Sequence, residues 1–400
     1  MNSLARATIP ARWRHGRARA STGTMNHPRS YHELSFSRHG EPLNVLEYRE
    51  TKTQPGNEVL GEKRIQVDMI HVPWNPADAN NVQGTYASPY SWAPAGIEQP
   101  SSSSQHFPGR SVSGSEGWGR VVASESSNVP VGSLVTLARS GLGTLRSSLT
   151  LSENDVLQVP SDLFDQLGPA GSTLLQLGGT ALRMLTDFVR LQPGDLVIQN
   201  AGNSGVGLMV SQLAPAAFGA PVVSVVRRGS KSTQEMDELK EYLTTVGKNA
   251  MVLVEEDLED SSYRQEVQGK LKVLSASGQL PNLALNAVGG DSATMLMRLL
   301  EDGGSLVTYG GMSGKPVTVA TPQLIFKDFR VVGYWQSRWM VQNDLPAKQV
   351  LVDQLVEAVR EKGVVCPPCK VFPLRDALEA LKWQSSEQSA IRHKLVFDCR

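Results

Sequence analysis

Apolar and polar positions change rhythm twice along this chain. From about residue 30 to residue 167, short apolar stretches alternate with clusters of Gly, Pro and Ser; Glu62–Ile70, Gly119–Ala123 and Ser133–Leu137 read as short strands. Between Ala170 and Arg190 the positions Leu174, Leu175, Leu182, Met184, Leu185, Phe188 and Val189 predict a buried helical segment. From Asp195 onward, strand-length apolar runs alternate with helical spacing. Leu196–Ile198, Pro221–Val226, Asn249–Val254, Leu283–Ala287 and Ser305–Tyr309 are the strand candidates. That alternation predicts a parallel sheet covered by helices. Leu345–Arg360 predicts an amphipathic helix and Lys394–Asp398 a last strand. A β-rich beginning, an α/β middle and a short mixed tail predict that the tail returns to the first domain, with the middle inserted. Ser88–Ser104, with four consecutive serines, reads as a surface loop.

The candidate chemistry begins where the second rhythm begins. The run Leu196–Ile198 leads into Gly202-Asn203-Ser204-Gly205-Val206-Gly207, and then into Leu208-Met209-Val210-Ser211-Gln212-Leu213 of helical character. Strand, glycine turn and helix in that order form the start of a dinucleotide-binding βαβ unit. Glycines let the backbone approach a pyrophosphate at a helix N-terminus, where free N–H groups and the helix dipole favour negative charge. Ser204 stands at the third position of the fingerprint, where the pattern has its second glycine. The second strand ends in Arg227 and Arg228, where an acidic residue would bind a ribose 2′-hydroxyl; arginine suits a 2′-phosphate. The expected cofactor is NADPH.

Composition narrows the class. The 39 basic and 39 acidic residues balance, which gives no bulk attraction to nucleic acid or to a membrane surface. No apolar run approaches the roughly 20 residues of a membrane span, so no membrane insertion is expected. Before Glu33 there is no acid at all, yet Arg6, Arg12, Arg14, Arg17, Arg19 and Arg29 stand among Ser, Thr and Ala. This reads as a mitochondrial transit peptide over residues 1–30, directing the chain to the matrix. Of three cysteines, Cys366 and Cys369 have redox spacing but no second pair and no strand-to-helix context, and read as an incidental loop. No metal site is expected.

The motifs together resemble the zinc-free, quinone oxidoreductase-like branch of the medium-chain dehydrogenase/reductase superfamily, and within it the mitochondrial trans-2-enoyl thioester reductases. The resemblance is carried by Asn75-Pro76-Ala77-Asp78 through Gln83-Gly84-Thr85-Tyr86, Gly114-Ser115-Glu116-Gly117, Gly141-Leu142-Gly143-Thr144, Gln158-Val159-Pro160, Gln199 to Gly207, Tyr309-Gly310-Gly311-Met312, and Ile325-Phe326-Lys327-Asp328 through Gly333-Tyr334-Trp335. It implies an α/β fold in which a Rossmann-type parallel-sheet cofactor domain (169–337) is inserted in a GroES-like β-rich catalytic domain (31–168, with a return over 338–400). It also implies a homodimer, and a substrate enoyl group carried as a thioester on acyl carrier protein or coenzyme A in fatty acid synthesis.

Site residues follow from the same resemblance. Tyr86 matches the tyrosine that supplies or relays a proton. Hydride addition to the β-carbon leaves an enolate whose α-carbon must be protonated, and a phenol keeps its proton at neutral pH. NADPH is expected between Asn203, Ser204, Gly205 and Val206 on one side and Tyr309, Gly310, Gly311 and Met312 on the other. Arg227 and Arg228 would hold its phosphate, and Tyr334, Trp335 and Gln336 would flank the cofactor and the acyl channel. A cofactor-contacting lysine near the C-terminus is matched by His393 or Lys394. The chain departs from the pattern at Gln176-Leu177-Gly178-Gly179-Thr180-Ala181, where Leu177 stands in place of an asparagine. Leucine cannot hydrogen-bond, so Thr180 or Gln176 would have to compensate. A quinone or enone reductase, and a non-catalytic NADPH-binding regulatory protein, stay open as alternatives.

Overall fold

The computed structural model describes residues 30–52, 63–87, 106–107, 110–387 and 389–400; the basic leader and the serine-rich insert lie outside them. A six-stranded sheet forms from Val197–Asn200, Val222–Val226, Met251–Val254, Leu283–Asn286, Ser305–Thr308 and Arg330–Gly333. Its recorded pairings are all parallel, as short Val- and Leu-rich runs separated by helices require. Val197–Asn200 is central, with the second and third strands on one side of it and the last three on the other. The chain therefore reverses its direction of winding at the end of this strand, where the glycine turn sits. That is the crevice in which doubly wound sheets bind ligands.

A buried polar chain stitches the carboxyl ends of these strands together. The Asn200 amide donates to Asn286 Oδ1 (2.7 Å) and Ser292 Oγ (3.0 Å), Ser292 donates to Glu255, and the Asn286 amide donates to Thr308 (3.1 Å). Each donor is buried with an acceptor supplied, so the crevice is held without an unsatisfied group in this chain.

The predicted return of the tail is seen in the strand pairing. Lys394–Asp398 lies antiparallel to Arg64–Pro73 and parallel to Cys369–Pro373, within a seven-stranded sheet that also holds Trp118–Ser124, Leu134–Leu137, Ser148–Ser152 and Val156–Val159. Helix Leu345–Lys362 buries Leu351, Val352, Leu355 and Val359 in one apolar core that runs from Trp118 and Leu134 to Val197, Met209 and Leu285. The two sheets thus share a dry junction rather than a linker.

The segment expected as one buried helix is three kinds of helix in succession. Gly168–Thr173 is a 3₁₀ helix, Leu174–Gly178 a π-helical turn, and Gly179–Asp187 an α-helix. Close packing forces the change. A Cβ on Gly171 would stand 2.1 Å from the Trp118 ring, and one on Gly178 would stand 2.8 Å from Leu355. A π-turn in a helix widens it by one residue and is frequent beside functional sites.

Candidate active site

Each glycine of the dinucleotide turn has a neighbour that admits no side chain. A Cβ on Gly202 would lie 2.3 Å from Ser224, one on Gly205 2.8 Å from Leu177, and one on Gly207 2.6 Å from the Ala201 carbonyl. Ser204 has the extended backbone of an N-cap, and its Oγ accepts from the Gly207 N–H at 3.1 Å. This explains why serine replaces the second fingerprint glycine: the position caps helix Gly205–Phe218 rather than turning the chain. From beneath, the Gln199 amide donates to the Gly207 carbonyl (2.8 Å) and to Ser224 (2.9 Å). Tyr309 places a buried hydroxyl with no hydrogen-bond partner beside Ser204. An orphaned donor at a helix N-terminus, above a cradle that a Cβ would fill, fits a phosphorylated dinucleotide.

The two arginines divide. Arg228 pairs with Asp257 at 2.6 Å, and its backbone N–H donates to Glu256. Arg227 is exposed and has no ion-pair partner among the described residues, which leaves its guanidinium available to a 2′-phosphate. On the opposite side, Gly310 is packed against the Ala287 carbonyl, whereas nothing lies within 4 Å of the Cβ position of Gly311. Gly311 is therefore the glycine that leaves room for a ring. Met312 is exposed.

Tyr86 reaches across from the first domain. Its hydroxyl oxygen accepts from the Trp335 indole N–H at 2.6 Å and lies 3.1 Å from Ser337 Oγ, which in turn lies 3.1 Å from Ser140 Oγ. The rings of Tyr86 and Trp335 meet edge to face, with centroids 5.6 Å apart. An indole can only donate, so the Tyr86 oxygen accepts on that side, and its own proton is directed elsewhere, toward Ser337 Oγ or the open side. Trp335 follows strand Arg330–Gly333, whose neighbour ends at Thr308, directly before Tyr309. Its neighbours turn inward instead. Tyr334 packs edge to face on Phe188 and donates to Gln336, and Gln336 is buried with its Nε2 unpartnered. Ser337 and Ser140 carry no sequence signal; only the fold brings them to Tyr86.

At the C-terminus the structure separates the two candidates. His393 is exposed and its ring is engaged by Glu387 (3.0 Å), whereas Lys394 sends its ammonium inward to Asn75 Oδ1. Strand alternation puts consecutive residues on opposite faces, and pairing with Cys369 sets which one points in. His393 thus stands outside with Glu387, while Lys394 joins the buried polar cluster around Asn75. Arg392 and Ile391 line a hollow with Asn203, Ser204, Gly205, Pro367 and Pro368. Gln212 holds that proline loop by a paired bond to Val365, through its N–H (2.9 Å) and its carbonyl (3.0 Å). The Cys366–Cys369 loop is thus a wall of the site, not incidental. Its thiols are free, and burial pushes Cys366 up to about 12 and Cys369 to about 11, which suppresses thiolate chemistry.

Leu177 is buried against Gly205, and Pro367 stands 3.5 Å from the same Cβ position. Thr180 donates to the Gln176 carbonyl at 2.6 Å, and the Gln176 N–H goes to Glu116. Among the described residues, no group of three or more His, Cys, Asp or Glu converges as metal ligands, and no helix is long and apolar enough to cross a membrane.

Fold and site define a two-domain, nucleotide-binding oxidoreductase of the medium-chain dehydrogenase/reductase superfamily. Residues 205–357 match the zinc-binding dehydrogenase family. The chain is 36% identical to the human mitochondrial enoyl-[acyl-carrier-protein] reductase over 94% of its length and 91% of the relative's. It is also 36% identical to the Dictyostelium discoideum reductase of the same name, over 82% and 84%. Among solved structures, the mitochondrial 2-enoyl thioester reductase Etr1p/Etr2p heterodimer of Candida tropicalis superposes with a TM-score of 0.77 at 26% identity, covering 92% of this chain and 100% of that one. An Etr1p complex with NADP and crotonyl-CoA matches with the same TM-score, identity and coverage. A quinone oxidoreductase from Pseudomonas syringae, at 20% identity, shares the fold (TM-score 0.67), over 92% of this chain and 99% of that one. The chain belongs to the mitochondrial enoyl-[acyl-carrier-protein] reductase family.

Proposed function

We propose that this protein reduces trans-2-enoyl thioesters to saturated acyl thioesters with NADPH, in the mitochondrial matrix, as a step of fatty acid synthesis, on substrates carried by acyl carrier protein or coenzyme A. The observation that carries this reading is the Tyr86 hydroxyl, held by a donor from the other domain so that its own proton faces away from that donor. NADPH, when bound, supplies the hydride. Asn203, Ser204, Gly205 and Val206 hold its phosphates by backbone N–H groups, with Arg227, and secondarily Arg228, at the 2′-phosphate. Tyr309, Gly310, Gly311 and Met312 border the nicotinamide. Tyr86 donates to the α-carbon of the enolate, and Trp335 fixes the phenol's direction.

NADPH oxidation by the purified protein tests this, with a medium-length trans-2-enoyl thioester beside a quinone. Faster turnover of the thioester is expected; equal or faster quinone turnover would overturn the assignment.

A homodimer is supported by the outer strand of the cofactor sheet. Among the described residues, Arg330–Gly333 pairs on one side only, and Leu324, Ile325 and Phe326 beside it are exposed, Phe326 at 78%. An open apolar edge invites a second copy. Phe326→Asp should therefore convert a dimer of the wild type to a monomer in light scattering, with the far-UV spectrum unchanged.

A further inference from the structure

A buried cluster of charged groups lies between the two domains and takes no part in the mechanism above. The Glu116 carboxylate accepts from the Asn75 amide at 2.7 Å through one oxygen and from the Gln176 backbone N–H at 3.2 Å through the other. Gln176 belongs to the π-helical turn Leu174–Gly178, and the next residue is Leu177, seated on Gly205 at the mouth of the dinucleotide turn. Three links, a hydrogen bond, a peptide bond and a packing contact, thus run from Glu116 through Gln176 and Leu177 to Gly205.

We propose that Glu116 is a positioning residue of the cofactor site: its carboxylate holds the turn that seats Leu177 against Gly205, and NADPH affinity follows the ionisation of that carboxylate. The proposal rests on the NADPH reading and deepens it. An ionised carboxylate offers acceptors to both donors; a protonated one turns an O–H toward one of them and loses that bond. The groups that face Glu116 are Asn75 and Asp78 from the first domain, Gln176 from the π-turn, Lys394 from the last strand and the Cys366 thiol from the proline loop. Asp78 is itself fixed by Ser115 (2.7 Å) and the Asn75 N–H (2.8 Å), while Lys394 is held on Asn75. Burial pushes Glu116 up to about 7, and Asn75 and Lys394 oppose that rise, so the change falls near neutrality.

The experiment is NADPH binding, read by intrinsic fluorescence from pH 6 to pH 8.5, with wild type, Glu116→Gln and Asn75→Ala. Because the nucleotide's phosphate titrates in the same range, the difference between proteins is the quantity read. As pH falls from 8.5 to 6, the wild-type Kd should rise about tenfold more than that of Glu116→Gln, the scale of one charge-assisted hydrogen bond. At pH 8.5 the variant should bind about tenfold more weakly than wild type. Asn75→Ala removes a donor that favours the carboxylate, so its pH midpoint should move upward. A folded Glu116→Gln protein whose Kd tracks wild type at every pH would overturn the proposal. If that variant does not fold, an unshifted midpoint in Asn75→Ala overturns it instead. Wild type that binds no NADPH at any pH would remove the cofactor reading and this inference together.

Discussion

Tyr86→Phe should lower kcat/KM for an enoyl thioester by roughly 10²-fold or more, the scale of general acid catalysis, while the Kd for NADPH stays at its wild-type value. The substitution removes one oxygen and keeps the ring that meets Trp335 edge to face. What is lost is the O–H proposed to protonate the α-carbon, together with the acceptor for the Trp335 indole. Steady-state kinetics and a separate binding titration distinguish the two effects. A loss confined to KM would show that Tyr86 binds substrate and does not protonate it; unchanged kcat/KM would remove it from the chemistry.

The second large effect is on stability in acid. His71 lies in strand Arg64–Pro73, is 4% exposed, stacks on Phe164 with ring centroids 5.6 Å apart, and leaves its Nδ1 without a partner. Burial, reinforced by Arg400 and opposed by Asp398, holds its imidazole down to about 4. In the unfolded chain the imidazole takes a proton near its ordinary pKa of about 6.5, so between there and 4 the unfolded state binds more protons than the folded state. Stability contributed by the neutral ring is present above that range and lost as pH falls through it, by about 3 kcal/mol in all. Denaturant unfolding at pH 7.5 and pH 4.5 should show wild type losing more than His71→Leu, by about 2 to 3 kcal/mol. Parallel losses would mean that the ring is protonated in the folded protein.

What the sequence made legible was local order. Strand, glycine turn and helix follow one another within a dozen residues, and five of the six strands of the cofactor sheet and the final strand were read from periodicity with ends within a few residues; the edge strand Arg330–Gly333 was not. What it hid was whatever depends on contacts between distant segments. Asn75 and Gln176 converge on Glu116 from 41 residues before it and 60 after, and nothing near Glu116 in sequence announces them. The succession of 3₁₀, π and α turns over 168–187 escapes a reading by period, because Trp118 and Leu355, from other elements, dictate it. Which of His393 and Lys394 turns inward was likewise undecidable along the chain; in the fold Lys394 reaches Asn75 and His393 stays outside with Glu387. Arg227 and Arg228 look equivalent in sequence, and only Asp257 tells them apart.

The position of the final strand also sets an order of events during synthesis. Every strand of the cofactor sheet lies between Val197 and Gly333, so that sheet can form as soon as its own stretch has emerged. The other sheet cannot, because Lys394–Asp398 fills an interior place between Cys369–Pro373 and Arg64–Pro73. Until Lys394–Asp398 arrives, the His71–Pro73 end of Arg64–Pro73 keeps an unpaired edge, the kind of long-range closure that folds slowest and aggregates most readily. A frameshift or stop at codon 394 or shortly before it would remove that strand and leave the gap open. Such an allele would yield a sound cofactor domain attached to an unfinished partner, and its defect would be lost protein rather than slow chemistry.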